Sequence, residues 1–320
     1  MALGLGTGLI WEASAAVYPP LVDPMSIEEL ILWLDFSDAT TMYTTHDSYN
    51  TNVSSDGDSI GRIKNKATIA TTDLGYFAKQ ATATYQPTYK TGGDNGHSYG
   101  LFADGDQGLI AQSTSIATGA FGVNQLSATE LDMQNHTFVI VASSTVADIS
   151  ADDNILSFVG HEPGDESTFR RIQIYKESSG VGGNDGFSID YEYEGETTED
   201  INGGAGNSNT TDVSVHFFIG GTTSAGVTSA GALYGDTFKN NGGGQTAEQL
   251  ANDAVMDFLP SGGGATDGYQ VGGLIGTDGS FNTATTGWQG KIYEVLAYAK
   301  AINQSDRIAL ATYYINKYSI

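Results

Sequence analysis

The sequence predicts an all-β fold, and three observations carry that prediction. Gly accounts for 42 of the 320 residues while only 16% are charged, a balance that suits many turns and few solvated helices. Short apolar or alternating runs recur along the chain, separated by clusters of Gly, Ser and Asn, the pattern of strands and their connections. Helical spacing is confined to two short segments, one late in the chain and one at its end.

The end of the chain organises the rest. Residues 287–300 alternate, with Ile292, Glu294, Leu296 and Tyr298 on one face and Lys291, Tyr293, Val295 and Ala297 on the other. Both faces are largely apolar, so this strand is expected to be covered on both sides. The period then changes. Ser305 reads as an N-cap and Asp306 suits the positive helix end. Ile308, Ala311, Ile315 and Tyr318 recur at helical spacing, which predicts an amphipathic helix over about 304–318.

From the other end, residues 1–24 alternate Gly with Leu and then carry Pro19, Pro20 and Pro24, which favour extended chain. They read as an extended anchoring arm, with Leu5, Leu9, Ile10, Trp11 and Tyr18 as the anchors, because an apolar Gly-rich tail is ordered only where something holds it. Ser26–Glu29 is a capping-box pattern opening a short helical turn. Leu30–Asp38 is the first strand, and residues 60–66, 77–89 and 101–106 continue the series. Residues 137–142, 154–159, 171–176, 186–194 and 213–219 read as further strands, and 272–276 as a short one before the last. Loops are expected at 179–186, 202–209 and 240–244. Ala247, Leu250, Ala251, Ala254, Val255 and Phe258 fall on one helical face, predicting a helical insertion over about 246–259.

Several of these stretches carry a resemblance. They are Leu32-Trp-Leu-Asp-Phe-Ser-Asp38, Ile60–Lys66, the Ala-Thr and Gln-Pro-x-Tyr pieces of 77–89, Gly290-x-Ile-x-Glu-Val295, Ser305-Asp-Arg307 and Tyr314-Ile-Asn-Lys-Tyr318. Together they resemble the concanavalin A-like, laminin-G-type jelly-roll domains found in virion structural proteins of tailed bacteriophages and in some bacterial surface proteins. Because head and tail both match one domain, the resemblance implies a single sandwich over 25–320 with insertions. It also implies a non-enzymatic virion protein, a capsid decoration or appendage subunit docked by its arm on capsid, neck or tail proteins and on copies of itself. A carbohydrate-binding module for a host-surface glycan is the alternative, and a glycoside hydrolase of the same fold the third reading.

Composition narrows the partners. A net charge of −25, from 13 basic and 38 acidic side chains, disfavours nucleic acid and anionic membranes. No stretch has the ~20 apolar residues a bilayer span needs. The first basic residue is Arg62, so no positively charged leader is expected. Cysteine is absent, which removes disulfides and thiolate metal sites.

The candidate chemistry is sparse. Asp190, Glu192 and Glu194 alternate along one strand. Glycoside hydrolases sharing this sandwich place a nucleophile and an acid on one strand face as Glu-x-Asp-x-Glu, and ~5–5.5 Å between the carboxyls permits retaining hydrolysis. The order here is Asp-x-Glu-x-Glu, so these residues are expected to form an acidic or glycan-facing surface. Asp56, Asp58, Asp104 and Asp106 flank Gly turns and could ligate calcium, the one cofactor that the pattern admits, though no full calcium loop is present. The five histidines are scattered and His216 reads as a sheet residue. Aromatic residues are 10% of the chain, led by 17 Tyr, and serve packing, interfaces or sugar stacking.

Overall fold

The computed structural model describes residues 22–48, 50–67, 77–112, 136–145, 153–162, 165–176, 187–193, 196–201, 213–220, 233–238, 246–248, 265–276, 280–282 and 287–320. Leu5, Leu9, Ile10, Trp11, Tyr18 and Glu194 lie outside them, as do the loops expected at 179–186, 202–209 and 240–244. In chain order the strands begin with β1 (Leu30–Asp35), β2 (Met42–Tyr43), β3 (Arg62–Lys64), β4 (Phe77–Lys79), β5 (Thr88–Lys90) and β6 (Tyr99–Phe102). Next come β7 (Leu109–Gln112), β8 (His136–Ser144), β9 (Asp153–Glu162), β10 (Asp165–Lys176), β11 (Phe187–Tyr193) and β12 (Glu196–Ile201). The last are β13 (Ser214–Gly220), β14 (Leu233–Phe238), β15 (Thr246–Glu248), β16 (Ala265–Val271) and β17 (Gly290–Tyr298), followed by helix α1 (Gln304–Tyr318).

These strands form two antiparallel sheets. One has eight strands in the order β15-β14-β13-β8-β17-β6-β5, with β1 also paired to β17; the other has nine, in the order β12-β11-β10-β9-β16-β7-β4-β3-β2. The main core fills the space between them, built from residues such as Phe138, Ile140, Phe158, Ile172, Tyr269 and Val295. A second core lies on the outer side of the eight-stranded sheet, where Trp33, Val139, Phe217, Leu296, Leu310 and Tyr314 pack together. β8 and β17 therefore bury both faces, which is why they read as nearly continuous apolar runs.

Several expectations change in detail. β17 does not alternate throughout: its register against β8 shifts between Ile292 and Glu294. Tyr293 is the extra residue of a β-bulge, so Ile292 packs in the inter-sheet core while Tyr293 and Glu294 both face the helix. The helix is capped by Asn303, not Ser305; the Asn303 side chain accepts from the Asp306 backbone N–H at 2.9 Å. Its buried face is Leu310, Ala311, Tyr314 and Tyr318, with Ile308 and Ile315 half-buried at the flanks. At the other end, Asp23 rather than Ser26 caps a short turn, Pro24–Ser26. Thr246–Glu248, expected to open a helix, instead pairs with β14 as an edge strand; backbone pairing there overrides the helical pattern, and 249–259 lie outside the described residues. Residues 272–276 are not a strand. Gly272 takes a φ of +85°, which glycine tolerates, and leads the chain out of β16.

Candidate functional site

The two outer faces of the sandwich differ, and that difference locates the site. On the eight-stranded sheet, α1 seals the face over a charged cluster. Asp35 and Glu294 stand opposite one another in the β1–β17 register, a like-charge pair that destabilises a sheet when left alone. Lys317 of α1 reaches between them, 2.6 Å from Glu294 and 3.8 Å from Asp35. Glu294 is fully buried and also accepts from Trp33 Nε1 at 2.7 Å, Tyr318 OH at 2.6 Å and Tyr314 OH at 3.1 Å. Lys66 sits 2.9 Å from Asp35 and 3.2 Å from Asp38.

Burial, with Asp35 behind it, pushes the Glu294 carboxyl up, against the pull of Lys317 and Tyr318. Burial alone would lower the Lys317 ammonium, but Glu294 and Asp35 outweigh it and hold it above the usual lysine range. Perturbed carboxylates often mark active sites, yet a carboxylate with no exposed surface and four donors cannot meet a substrate. This cluster clasps the helix to the sheet.

No α-helix lies on the outer face of the nine-stranded sheet among the described residues. What crosses it is a strap, residues 272–276 and 280–282. Ser157, fully buried, donates to the Gly273 carbonyl at 2.8 Å and accepts from the Ile275 N–H at 2.7 Å. Arg171 Nη1 donates to the Ile275 carbonyl at 3.2 Å. Gln270 and Asn282 exchange two hydrogen bonds, at 3.2 and 3.3 Å. Ile275 is buried against Ile110 and Val159, with Phe281 beside them, in a small cluster of its own.

Along this strap the face offers a mixed surface. The rings of Tyr85 and Phe281, both half-buried, lie 5.8 Å apart and tilted by 32°. On the other side Arg171 and Gln173 are half-buried on β10. In register, position 190 of β11 stands opposite Gln173, and position 192 opposite Arg171. Ile189 is in the inter-sheet core, so alternation sets positions 190 and 192 on the outer face of the nine-stranded sheet. Register thus pairs positions 190 and 192 with Gln173 and Arg171 along the two strands. Tyr85 and Phe281 were not foreseen, since no spacing links two aromatics so far apart in the chain.

The aspartates expected to ligate calcium each have protein partners or turn positions. Asp56 pairs with Lys90 at 3.0 Å and accepts from the Thr91 N–H. Asp58 accepts from the N–H groups of Ser54 and Ser55, both at 2.8 Å, which hold its carboxyl below the usual range. Asp104 and Asp106 lie in the turn after β6, with Asp104 exposed and Asp106 half-buried. Among the described residues no group of three or more acidic or histidine side chains is placed to hold a metal. His216 is buried, its Nε2 2.6 Å from Ser214 Oγ.

No family model matches the sequence, and no curated protein matches it. Solved structures do. A GH54 α-l-arabinofuranosidase is 12% identical with a TM-score of 0.51; the match covers 90% of this chain and 63% of that one. This likeness shows the fold, a jelly-roll β-sandwich. The CBM40 of a Ruminococcus gnavus IT-sialidase is 12% identical with a TM-score of 0.33, covering 60% of this chain and 91% of that one. A Trypanosoma rangeli sialidase in complex with sialic acid is 10% identical with a TM-score of 0.43, covering 95% and 36%. Carbohydrate-binding and glycosidase domains are thus among the structural neighbours; the last two likenesses are too slight to carry an argument.

Proposed function

We propose that this chain is a carbohydrate-binding β-sandwich that takes a glycan on the outer face of its nine-stranded sheet, beside the strap. The observation that carries the reading is the strap-bordered surface itself. Half-buried aromatic rings (Tyr85, Phe281) flank one side and a guanidinium and amide (Arg171, Gln173) the other. Sugar rings pair a flat C–H face with outward hydroxyls, so aromatics and fixed polar groups are what they need. The sandwich fold shared with the arabinofuranosidase is consistent with this. The test is titration against a panel of plant, bacterial and animal glycans. Tyr85→Ala and Phe281→Ala should each weaken the best ligand by roughly three- to tenfold, the equivalent of ~0.5–1.5 kcal/mol. An empty panel would remove the reading.

A glycoside hydrolase is the second reading, supported by positions 190 and 192 sharing this face. Glu192→Gln should abolish hydrolysis of a ligand the protein binds; an intact product-free ligand after incubation with the unaltered protein ends it. The virion role rests on the sequence resemblance alone. Deleting residues 1–24 should then leave a folded protein absent from particles, and retained incorporation would defeat the arm.

A further inference from the structure

We propose that Gln270 is a positioning residue of the glycan site: its buried side-chain amide fixes Phe281 beside Tyr85 and so sets the affinity for the sugar. This rests on the carbohydrate-binding reading and adds the residue on which its aromatic contact depends. Tyr269 and Val271 are in the inter-sheet core, so Gln270 between them is on the outer side of the nine-stranded sheet. It is 1% exposed. Its Oε1 accepts from the Asn282 N–H at 3.2 Å, and its Nε2 donates to the Asn282 carbonyl at 3.3 Å. These are the two bonds that a neighbouring strand would exchange with residue 282. A side chain therefore stands in for a strand, and the residue it holds is next to Phe281. The surroundings fit the amide. A Cβ at Gly273 would overlap Gln270 Nε2; one at Gly108 would lie 3.1 Å from the Phe281 ring and 3.3 Å from the same nitrogen.

The strap has two feet, and they are neighbours. Gln270 stands opposite Ser157 in the β16–β9 register and opposite Ile110 in the β16–β7 register. Ser157 holds the limb at Gly273 and Ile275; Gln270 holds the limb at Asn282. The Gly276 N–H donates to the Ser280 carbonyl at 2.9 Å, which ties the two limbs together. Phe281 is on the second limb, packed with Ile110, Val159 and Ile275. Ordering even one backbone residue costs about as much as a single ring contributes to a contact. A ring on a loose limb would therefore add little to affinity, whereas a ring fixed in advance adds its full share. Burying an amide is unfavourable unless it is hydrogen-bonded. An apolar side chain at 270 could fill the same slot, but it could not hold residue 282.

The test uses the full chain and Gln270→Met, which fills a similar volume without either hydrogen bond. Gly273→Ala, which displaces the amide while leaving Gln270 in place, is the second variant should the first not fold. The probes are cellohexaose, xylohexaose and chitohexaose, titrated by calorimetry. In Gln270→Met, hydrogen exchange at the Asn282 amide should rise while that at Ile275, held by Ser157, stays protected. Affinity for the probe that binds should fall roughly three- to tenfold, as for Phe281→Ala. In a Phe281→Ala background the same change should alter affinity less than about twofold, since a residue acting only through Phe281 has nothing left to position. A general loss of stability would not produce that coupling. Unaltered exchange at Asn282, or an equal fall in affinity with and without Phe281, overturns the inference while leaving the carbohydrate-binding reading standing. Binding of no sugar, in this set or in the wider panel, overturns both.

Discussion

The two outer faces of this sandwich are built on opposite principles. The face under α1 is closed: its charges answer one another, Lys317 against Asp35 and Glu294, Lys66 against Asp35 and Asp38, and its aromatic rings pack into a core. On the face crossed by the strap, Tyr85, Phe281, Arg171 and Gln173 are half-buried among the described residues. Among the described residues, Glu294, Lys317 and the tyrosines around them are strongly perturbed because they are buried under α1, so there the perturbation reports architecture and not chemistry.

The closed face should break first and hardest. Glu294→Ala removes the acceptor of Trp33, Tyr314, Tyr318 and Lys317 at once. Removing one partner of a buried ion pair costs about 3–5 kcal/mol, and a loss in that range is expected from urea unfolding midpoints. Glycan binding by the fraction still folded should be unchanged. A loss under 1 kcal/mol would mean that the helix is held by its apolar face alone.

On the face crossed by the strap the expected effect is smaller and of another kind. Ser157→Ala leaves the Ile275 N–H and the Gly273 carbonyl without their partner. A buried polar group so orphaned costs about 1–3 kcal/mol. Hydrogen exchange at the Ile275 amide should rise sharply, while exchange under α1 stays protected. Glycan affinity should fall with it, since the strap positions Phe281. Unaltered exchange at Ile275 would show the strap to be held without Ser157.

How much of this was written in the sequence depends on distance along the chain. The strands with strong alternation, such as 137–142 and 213–219, were legible, as was the terminal helix. The Trp33 and Glu294 stretches were legible as separate motifs, but not as partners 261 residues apart. The bulge at Tyr293 was hidden because no Gly or Pro marks it; a strict period of two put Glu294 with Ile292, on the wrong side. Asn303 lost to Ser305 because both are good caps and only the backbone decides between them. The strap resembled a strand because Leu274 and Ile275 are apolar, yet Ile275 is buried against the outside of the sheet rather than paired within it. Alternation alone sets positions 190 and 192 on one face of β11, whereas Tyr85 and Phe281 needed the fold to meet.

The smallest effect at neutral pH is also the one that separates packing from charge on the closed face. Burial pushes the phenols of Tyr293, Tyr298, Tyr314 and Tyr318 upward. In the unfolded chain they ionise near pH 10, whereas in the folded protein they stay protonated well beyond it. The unfolded state therefore releases protons first, and stability must fall as pH rises above ~10, by up to ~1.4 kcal/mol per pH unit for each such group. Lys317 acts in the same direction, because its raised value means that its contribution is complete below 10.5 and lost above its folded value. Tyr298 isolates one phenol, for its hydroxyl makes a single 3.2 Å bond, to the Pro24 carbonyl. Tyr298→Phe should cost about 1 kcal/mol at pH 7 and make the alkaline decline shallower, so that the two unfolding curves converge and then cross as pH increases. Parallel curves would mean that this phenol ionises as readily in the folded protein as in the unfolded one, and that the closed face admits water.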